Sequence, residues 1–181
     1  MITEHVHDPV PTYRFGLGLF IASESFLFAA FLAARFYLAG LDRPAGLNLA
    51  IGALLTIVLV ASSGLGYWAL RALQRGDRRA AVRGLGATVG LGCLFLVGVG
   101  VEWATAEFSI GEPYGTAFFS ITGLHAAHVV SALIVLTLIT RLLHGGRFSA
   151  DSHWAVTGAV TYWTFVDALW VLAIFPTLYL L

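Results

Sequence analysis

Residues 116–143 read TAFFSITGLHAAHVVSALIVLTLITRLL, with no Asp, Glu or Arg until Arg141. At about 1.5 Å of rise per residue, a helix of this length crosses the roughly 30 Å of hydrocarbon in a bilayer. Four further windows of the same kind surround it, at 15–39, 48–73, 85–106 and 154–181. The separators GLDRPAGL, QRGDRRAAVRG, EFSIGEPYG and HGGRFSADSH all hold glycine or charge, and two hold proline. These are the residues that interrupt apolar helices. The expected fold is therefore all-α: a polytopic membrane bundle of five transmembrane helices. It forms a single transmembrane domain over 1–181, with residues 1–14 as a cytoplasmic tail.

Composition agrees with these windows. Of 181 residues, 59% are hydrophobic and 11% are charged, where a soluble domain carries about 25% charged residues. A small domain leaves much of its chain at the surface, so this composition needs lipid rather than water around it. The formal net charge is zero, which gives no electrostatic case for nucleic acid or an acidic substrate. Cys93, the single cysteine, excludes an internal disulfide and a multi-cysteine metal site. In its apolar run it is expected to act as a small packing residue. The start, MITEHVHDPVPTYR, lacks the form of a cleavable signal peptide, so insertion is expected to rest on the first helix.

All ten basic residues are arginine. Arg71, Arg75, Arg78, Arg79 and Arg83 cluster between windows two and three, and Arg141 and Arg147 flank or enter the fourth loop. Arg14 lies near the start, and Arg35 and Arg43 surround the first loop. The third loop carries Glu107 and Glu112 instead. The excess of arginine on one side predicts a cytoplasmic N-terminus and an outside (periplasmic) C-terminus.

Helix three carries Gly86 and Gly90 four apart, a spacing expected to let helix backbones approach closely inside the bundle. Trp68, Trp103 and Trp154 fall near helix ends, as interfacial aromatics do. Trp163 and Trp170 lie deeper on one side of helix five and suit packing against another protein.

The informative residues are ionisable groups at depths where a charge costs about 2.5–3.5 kcal/mol even on the lenient insertion scale. They are Glu24, Glu102, His125, His128 and Asp167. Glu24 suits either a protonatable group in a cavity or lipid cleft, or a structural carboxyl bonded to a neighbouring helix. Glu102, nearer the outer end of helix three, is either solvated or paired with a histidine of helix four. Asp167, within YWTFVDALW, reads as a helix-to-helix hydrogen-bonding group.

His125 and His128 share a face of helix four, but two imidazoles do not complete a metal site. A carboxylate-bridged di-iron bundle wants paired Glu-x-x-His motifs on two helices, and none exists here. Bis-histidine haem ligation wants histidines on facing helices, and the other four windows have none in their interiors.

Five motifs carry a family resemblance. FIASESFLFAAF at 20–31 resembles the helix of oxidase subunit III that holds an intramembrane glutamate in a Ser-Glu pair. Asn48 followed by ASSG at 61–64 is similar to that family's next helix. LGCLFLVGVGVEW at 91–103 resembles the helix ending in Glu plus an aromatic. FFSITGLHAAHVVSA at 118–132 is similar to its Gly-x-His-x-x-His-Val core, and YWTFVDALWVL at 162–172 to its closing Tyr-Trp-His-Phe-Val-Asp helix. By order, spacing and helix count the chain is identified as a member of subunit III of the haem-copper terminal oxidases. Its length resembles the five-helix bacterial form. Two positions depart: Val99 stands where glutamine is usual, and Thr164 replaces the histidine of the closing motif.

The resemblance implies an accessory, non-redox chain in a bacterial plasma membrane. It implies no haem, copper or other metal in the chain itself, the haem and copper being held by oxidase subunits I and II as partners. It also implies structural phospholipids in a cleft between helices and support of proton uptake, oxygen reduction by cytochrome c or quinol belonging to the complex. A related accessory subunit of nitric oxide reductase is one alternative. The other is a stand-alone proton channel or transporter running on Glu24, Glu102 and Asp167, which lacks the internal repeat and broken helices that transporters favour.

Overall fold

Local chemistry at the helix ends sets out the spans. Asn48 accepts from the backbone N–H groups of Ala50 and Ile51 at 3.1 and 3.2 Å and so caps α2 (Leu49–Gln74). Asp77 does the same for Ala80 at 2.9 Å, capping α3 (Arg78–Thr105). Such caps satisfy N–H groups that have no partner within the helix. Pro113, which has no N–H to satisfy, opens α4 (Pro113–His144). Gly76, at φ +83°, turns the chain between α2 and α3 in a conformation that side chains with a Cβ rarely adopt. The helices α1 (Val10–Ala39) and α5 (Trp154–Leu169) complete the set.

The computed structural model describes residues 10–41, 44 and 46–181. Most of the expected cytoplasmic tail, with His5 and His7, therefore lies outside the described residues, as does Arg43. Among the described residues there are five helices long and apolar enough to cross a membrane, and there is no strand.

The two largest differences from the expected boundaries are at helix starts. α1 begins at Val10 rather than Phe15, with Pro11 in its first turn, where a missing N–H costs nothing. α3 begins at Arg78 rather than Leu85, because the Asp77 cap starts the helix before the apolar window does. The arginines of RRAAVRG therefore sit on the first turns of a membrane helix rather than in a loop.

Beyond Leu169 the last helix widens into π-helical turns, Trp170–Ile174 and Pro176–Leu180. Phe175 N–H reaches the Trp170 carbonyl, and Leu181 N–H that of Pro176 at 3.1 Å. Pro176 supplies the reason: it donates no hydrogen bond, and its ring crowds the carbonyl one turn back.

α5 packs against α1, α2 and α4, α2 packs also against α3, and α3 and α1 each pack against α4. Phe95, Phe118, Ile121, Leu136, Trp163 and Trp170 are among the core side chains closed off between these helices. α1 is peripheral: only Phe28 and Arg35 on it are buried.

Three expectations about packing are corrected. Gly86 and Gly90 face open space, with nothing within 4 Å of where a Cβ would stand. The close approach is made instead by Gly92, whose Cβ would meet Leu133 of α4 at 2.6 Å and Trp163 of α5 at 2.7 Å. Trp163 and Trp170 are wholly buried inside this chain rather than offered to another protein. Cys93, expected to pack, is exposed. The cause is common to all three: α5 lies among three other helices, while the Gly86–Gly90–Cys93 side of α3 turns outward.

Candidate functional site

Glu24 sits midway along α1 and His128 midway along α4, and they meet at 2.8 Å between Oε2 and Nε2. Their side chains are 18% and 14% exposed, on a flank of the bundle rather than in its core. The other ring nitrogen, His128 Nδ1, lies 2.8 Å from the Leu124 carbonyl. A carbonyl only accepts, so Nδ1 carries a hydrogen and donates it. In the neutral imidazole Nε2 is then a bare acceptor, and the contact to Glu24 needs a proton from the carboxyl. In the charged imidazolium the same proton rides on Nε2 and the carboxylate accepts. Either way one proton lies between the two groups and the pair is neutral overall, which is how an acid can sit at this depth.

His125 goes elsewhere. It is fully buried, donates from Nε2 to the Val166 carbonyl at 3.1 Å, and leaves Nδ1 without a partner. Phe28 stands edge-on to both imidazoles, at 6.4 Å from His125 and 5.0 Å from His128 between ring centroids. Phe95 and Trp170 close the rest of the His125 pocket, at 5.5 and 5.1 Å. The two histidines share helix four and the ring of Phe28, with no third ligand between them. Among the described residues, no three His, Cys, Asp or Glu side chains come together in a way that could hold a metal ion.

Asp167 lies at the centre of a second polar cluster. Its Oδ2 accepts from Ser63 at 2.5 Å and from Ser62 at 3.1 Å, joining α5 to α2. Ser62 Oγ in turn accepts from Trp163 Nε1 at 3.1 Å, and Thr88 of α3 donates to the Ser62 carbonyl at 3.3 Å. Three helices are thus tied around one carboxyl, whose Oδ1 has no partner.

Glu102 departs from both expected settings. It is 3% exposed, so water does not surround it, and its Oε2 accepts from Tyr179 at 2.7 Å rather than from a histidine. The π-helical turns bring Tyr179 there, and Tyr114 fastens the same segment by donating to the Leu178 carbonyl at 2.5 Å. Farther down, Trp170 Nε1 donates to Thr56 at 2.9 Å.

Sequence reasoning missed the partners rather than the carboxyls. Ser62 and Ser63 stand out in ASSG, but nothing in their spacing points across to Asp167. Tyr179 follows Pro176 in a helix that ordinary winding would have rotated differently. The two family departures leave no polar link: Val99 is buried in the core, and Thr164 returns its hydroxyl to the Val160 carbonyl at 2.9 Å.

These features define a polytopic α-helical membrane protein whose intramembrane acids are bonded helix to helix. The family model described as cytochrome c oxidase subunit III matches residues 2–181, and the chain belongs to that family. Similar relatives include the cytochrome c oxidase subunit 3 proteins of Scyliorhinus canicula and Danio rerio. Each is 34% identical over 173 residues, covering 87% of this chain and 66% of its own length. That of Oryctolagus cuniculus is 33% identical over 180 residues, covering 91% of this chain and 69% of its own. The chain thus spans about 66% of the length of the first of these relatives.

Proposed function

We propose that this chain is a non-catalytic accessory subunit of a proton-pumping haem-copper terminal oxidase, packed against catalytic subunits I and II. In this reading it carries no haem or metal of its own, holds phospholipid along its flanks, and supports proton uptake by its partner. Oxygen reduction, with cytochrome c or quinol as donor, belongs to the assembled complex in a bacterial plasma membrane. Family membership supports the assembly. The sparse burial of α1, which leaves Phe15, Phe26 and Tyr37 uncovered, supports a partner or lipid on that side.

The observation that carries the protonic part is the Glu24–His128 pair, which holds one proton at mid-membrane with no net charge. Such a pair can pass that proton between carboxyl and imidazole without creating a net charge. Glu24→Gln tests this cleanly, because the glutamine amide still donates to His128 Nε2 but has no proton to give up. The complex carrying Glu24→Gln is expected to assemble with an unaltered haem spectrum, while the pH profile or the durability of turnover shifts. A Glu24→Gln complex matching the wild type in both removes the protonic role. Purification tests the rest: the tagged chain is expected to bring down a haem protein that consumes oxygen. A chain that comes alone and conducts protons in liposomes is instead a stand-alone channel.

A further inference from the structure

Glu102 Oε1, His125 Nδ1 and Asp167 Oδ1 are buried without a hydrogen-bond partner. Such atoms are uncommon in folded proteins, and a bound water or ion often accounts for them. Glu102 also lines a cavity. Its other oxygen, Oε2, already accepts from Tyr179 at 2.7 Å. As a carboxylate the group has lone pairs on Oε1 still to fill; as an acid it has an O–H still to place. In either state one hydrogen bond is missing.

The cavity lies at the end of α3 opposite its arginines, between the chain entering α2 and the chain leaving α3. Gly46 and Asn48 line it from the first segment, and Glu102, Thr105, Ala106 and Phe108 from the second. The two segments are pressed together beside it: a Cβ on Gly46 would meet Glu107 Oε2 at 2.7 Å. The cavity leaves about 10 Å³ for the centre of a water molecule, close to the roughly 10–15 Å³ that one water needs. A hydrated ion or an organic ligand is far too large for it.

We infer that this cavity binds a single water molecule, which bridges Glu102 Oε1 to the last turn of α3. The partners are at hand. α3 ends at Thr105, so the carbonyls of its last turn lack an N–H one turn further on. The Thr105 hydroxyl donates to the Val101 carbonyl at 3.0 Å, with the Glu102 carbonyl at 3.4 Å, and its oxygen can still accept. A water has two hydrogens to give, one to Oε1 and one to Thr105 or a last-turn carbonyl, and lone pairs for an acid O–H. A bare hard cation wants six or more oxygens. Asn48 Oδ1 is already taken by the N–H groups of Ala50 and Ile51, so the lining side chains named leave only Glu102 and Thr105 to supply them. With Tyr179 on Oε2 and water on Oε1, one buried carboxyl latches the π-helical C-terminal turns to the end of α3. The site uses neither Glu24 nor His128 and does not depend on the identity of the partner subunits.

The test uses the protein in whatever complex it forms. Cryo-electron microscopy at a resolution that shows waters is expected to find density about 2.5–3.0 Å from Glu102 Oε1. Radiolytic footprinting in oxygen-18 water gives an independent readout, because hydroxyl radicals made from a bound water mark the side chains beside it. Phe108 lines the cavity and is 6% exposed. It is expected to be oxidised severalfold faster than Phe95 or Phe118, which are wholly buried. Ala106→Leu, which puts three more carbons on the cavity wall, is expected to slow Phe108 oxidation severalfold. Thr105→Val removes a polar neighbour at an exposed position and is expected to do the same, which keeps the test decisive where the Ala106 variant fails to fold. An Oε1 without density, a Phe108 that labels like Phe95, or labelling that neither variant slows overturns the site. Density ringed by six or more oxygens at about 2.3–2.6 Å overturns it too, because that is the signature of a calcium-type ion.

Discussion

Asp167 takes two serine hydroxyls of α2 on a single oxygen, so the link between α5 and α2 can be measured. Interhelical hydrogen bonds in membranes average about 0.6 kcal/mol and reach about 1.7. Asp167→Ala removes the Ser63 bond and the longer Ser62 contact, whose single hydrogen still has the Leu59 carbonyl at 2.8 Å, so the bundle is expected to lose about 1–2 kcal/mol in a steric-trapping or denaturant measurement. Asp167→Asn keeps an acceptor oxygen and is expected to lose less. A double-mutant cycle of Asp167→Ala with Ser63→Ala is expected to show coupling, because Ser63 has nothing left to lose once the carboxyl is gone. Additive losses dispose of the 2.5 Å contact as an energetic link. The five ionisable positions were legible in the sequence because each breaks an apolar run. Their partners were not, because Ser62, Thr88 and Tyr179 are ordinary residues of membrane helices and only tertiary placement distinguishes them.

At the scale of single helices, apolar length located every span but not its ends. α3 shows why: the apolar window starts at Leu85, whereas the helix starts where Asp77 supplies a cap. The π-helical close of the last span was likewise hidden, since Pro176 announces a disturbance without saying how the chain absorbs it. Glycines show a similar limit. Spacing singled out Gly86 and Gly90, but the side of α3 that meets other helices carries Gly92. Gly92→Val is expected to cost about 1–3 kcal/mol, the range for overpacking a filled site, because Leu133 and Trp163 have no room to withdraw. Gly90→Val meets nothing within 4 Å and is expected to leave stability unchanged or slightly raised. Thermal melts of the two variants in one detergent decide the matter, and equal melting points contradict the packing described for α3.

Over the whole molecule, alternating spans bring the arginine-rich segments to one end of the bundle, and contacts there join them. Arg14 of α1 lies 5.6 Å from the centre of the Trp154 ring that opens α5, and Gln74 at the end of α2 lies 3.4 Å from His153. Arg78, at the start of α3, shares that end with His144 of α4. The opposite end, around Glu107 and Glu112, carries no arginine from the third loop. By positive-inside bias the first end is expected to face the cytoplasm. Single cysteines test it once Cys93 is replaced by serine. Gln74 and Gly111 suit the purpose, since both are exposed, whereas Gly76 at φ +83° would be strained by any side chain. In intact spheroplasts an impermeant maleimide is expected to label Gly111→Cys and to reach Gln74→Cys only after lysis. The reverse pattern keeps five spans but inverts the protein. Labelling of both positions from outside breaks the map itself, because α3 (Arg78–Thr105) is the only described span between them and could then not cross the membrane.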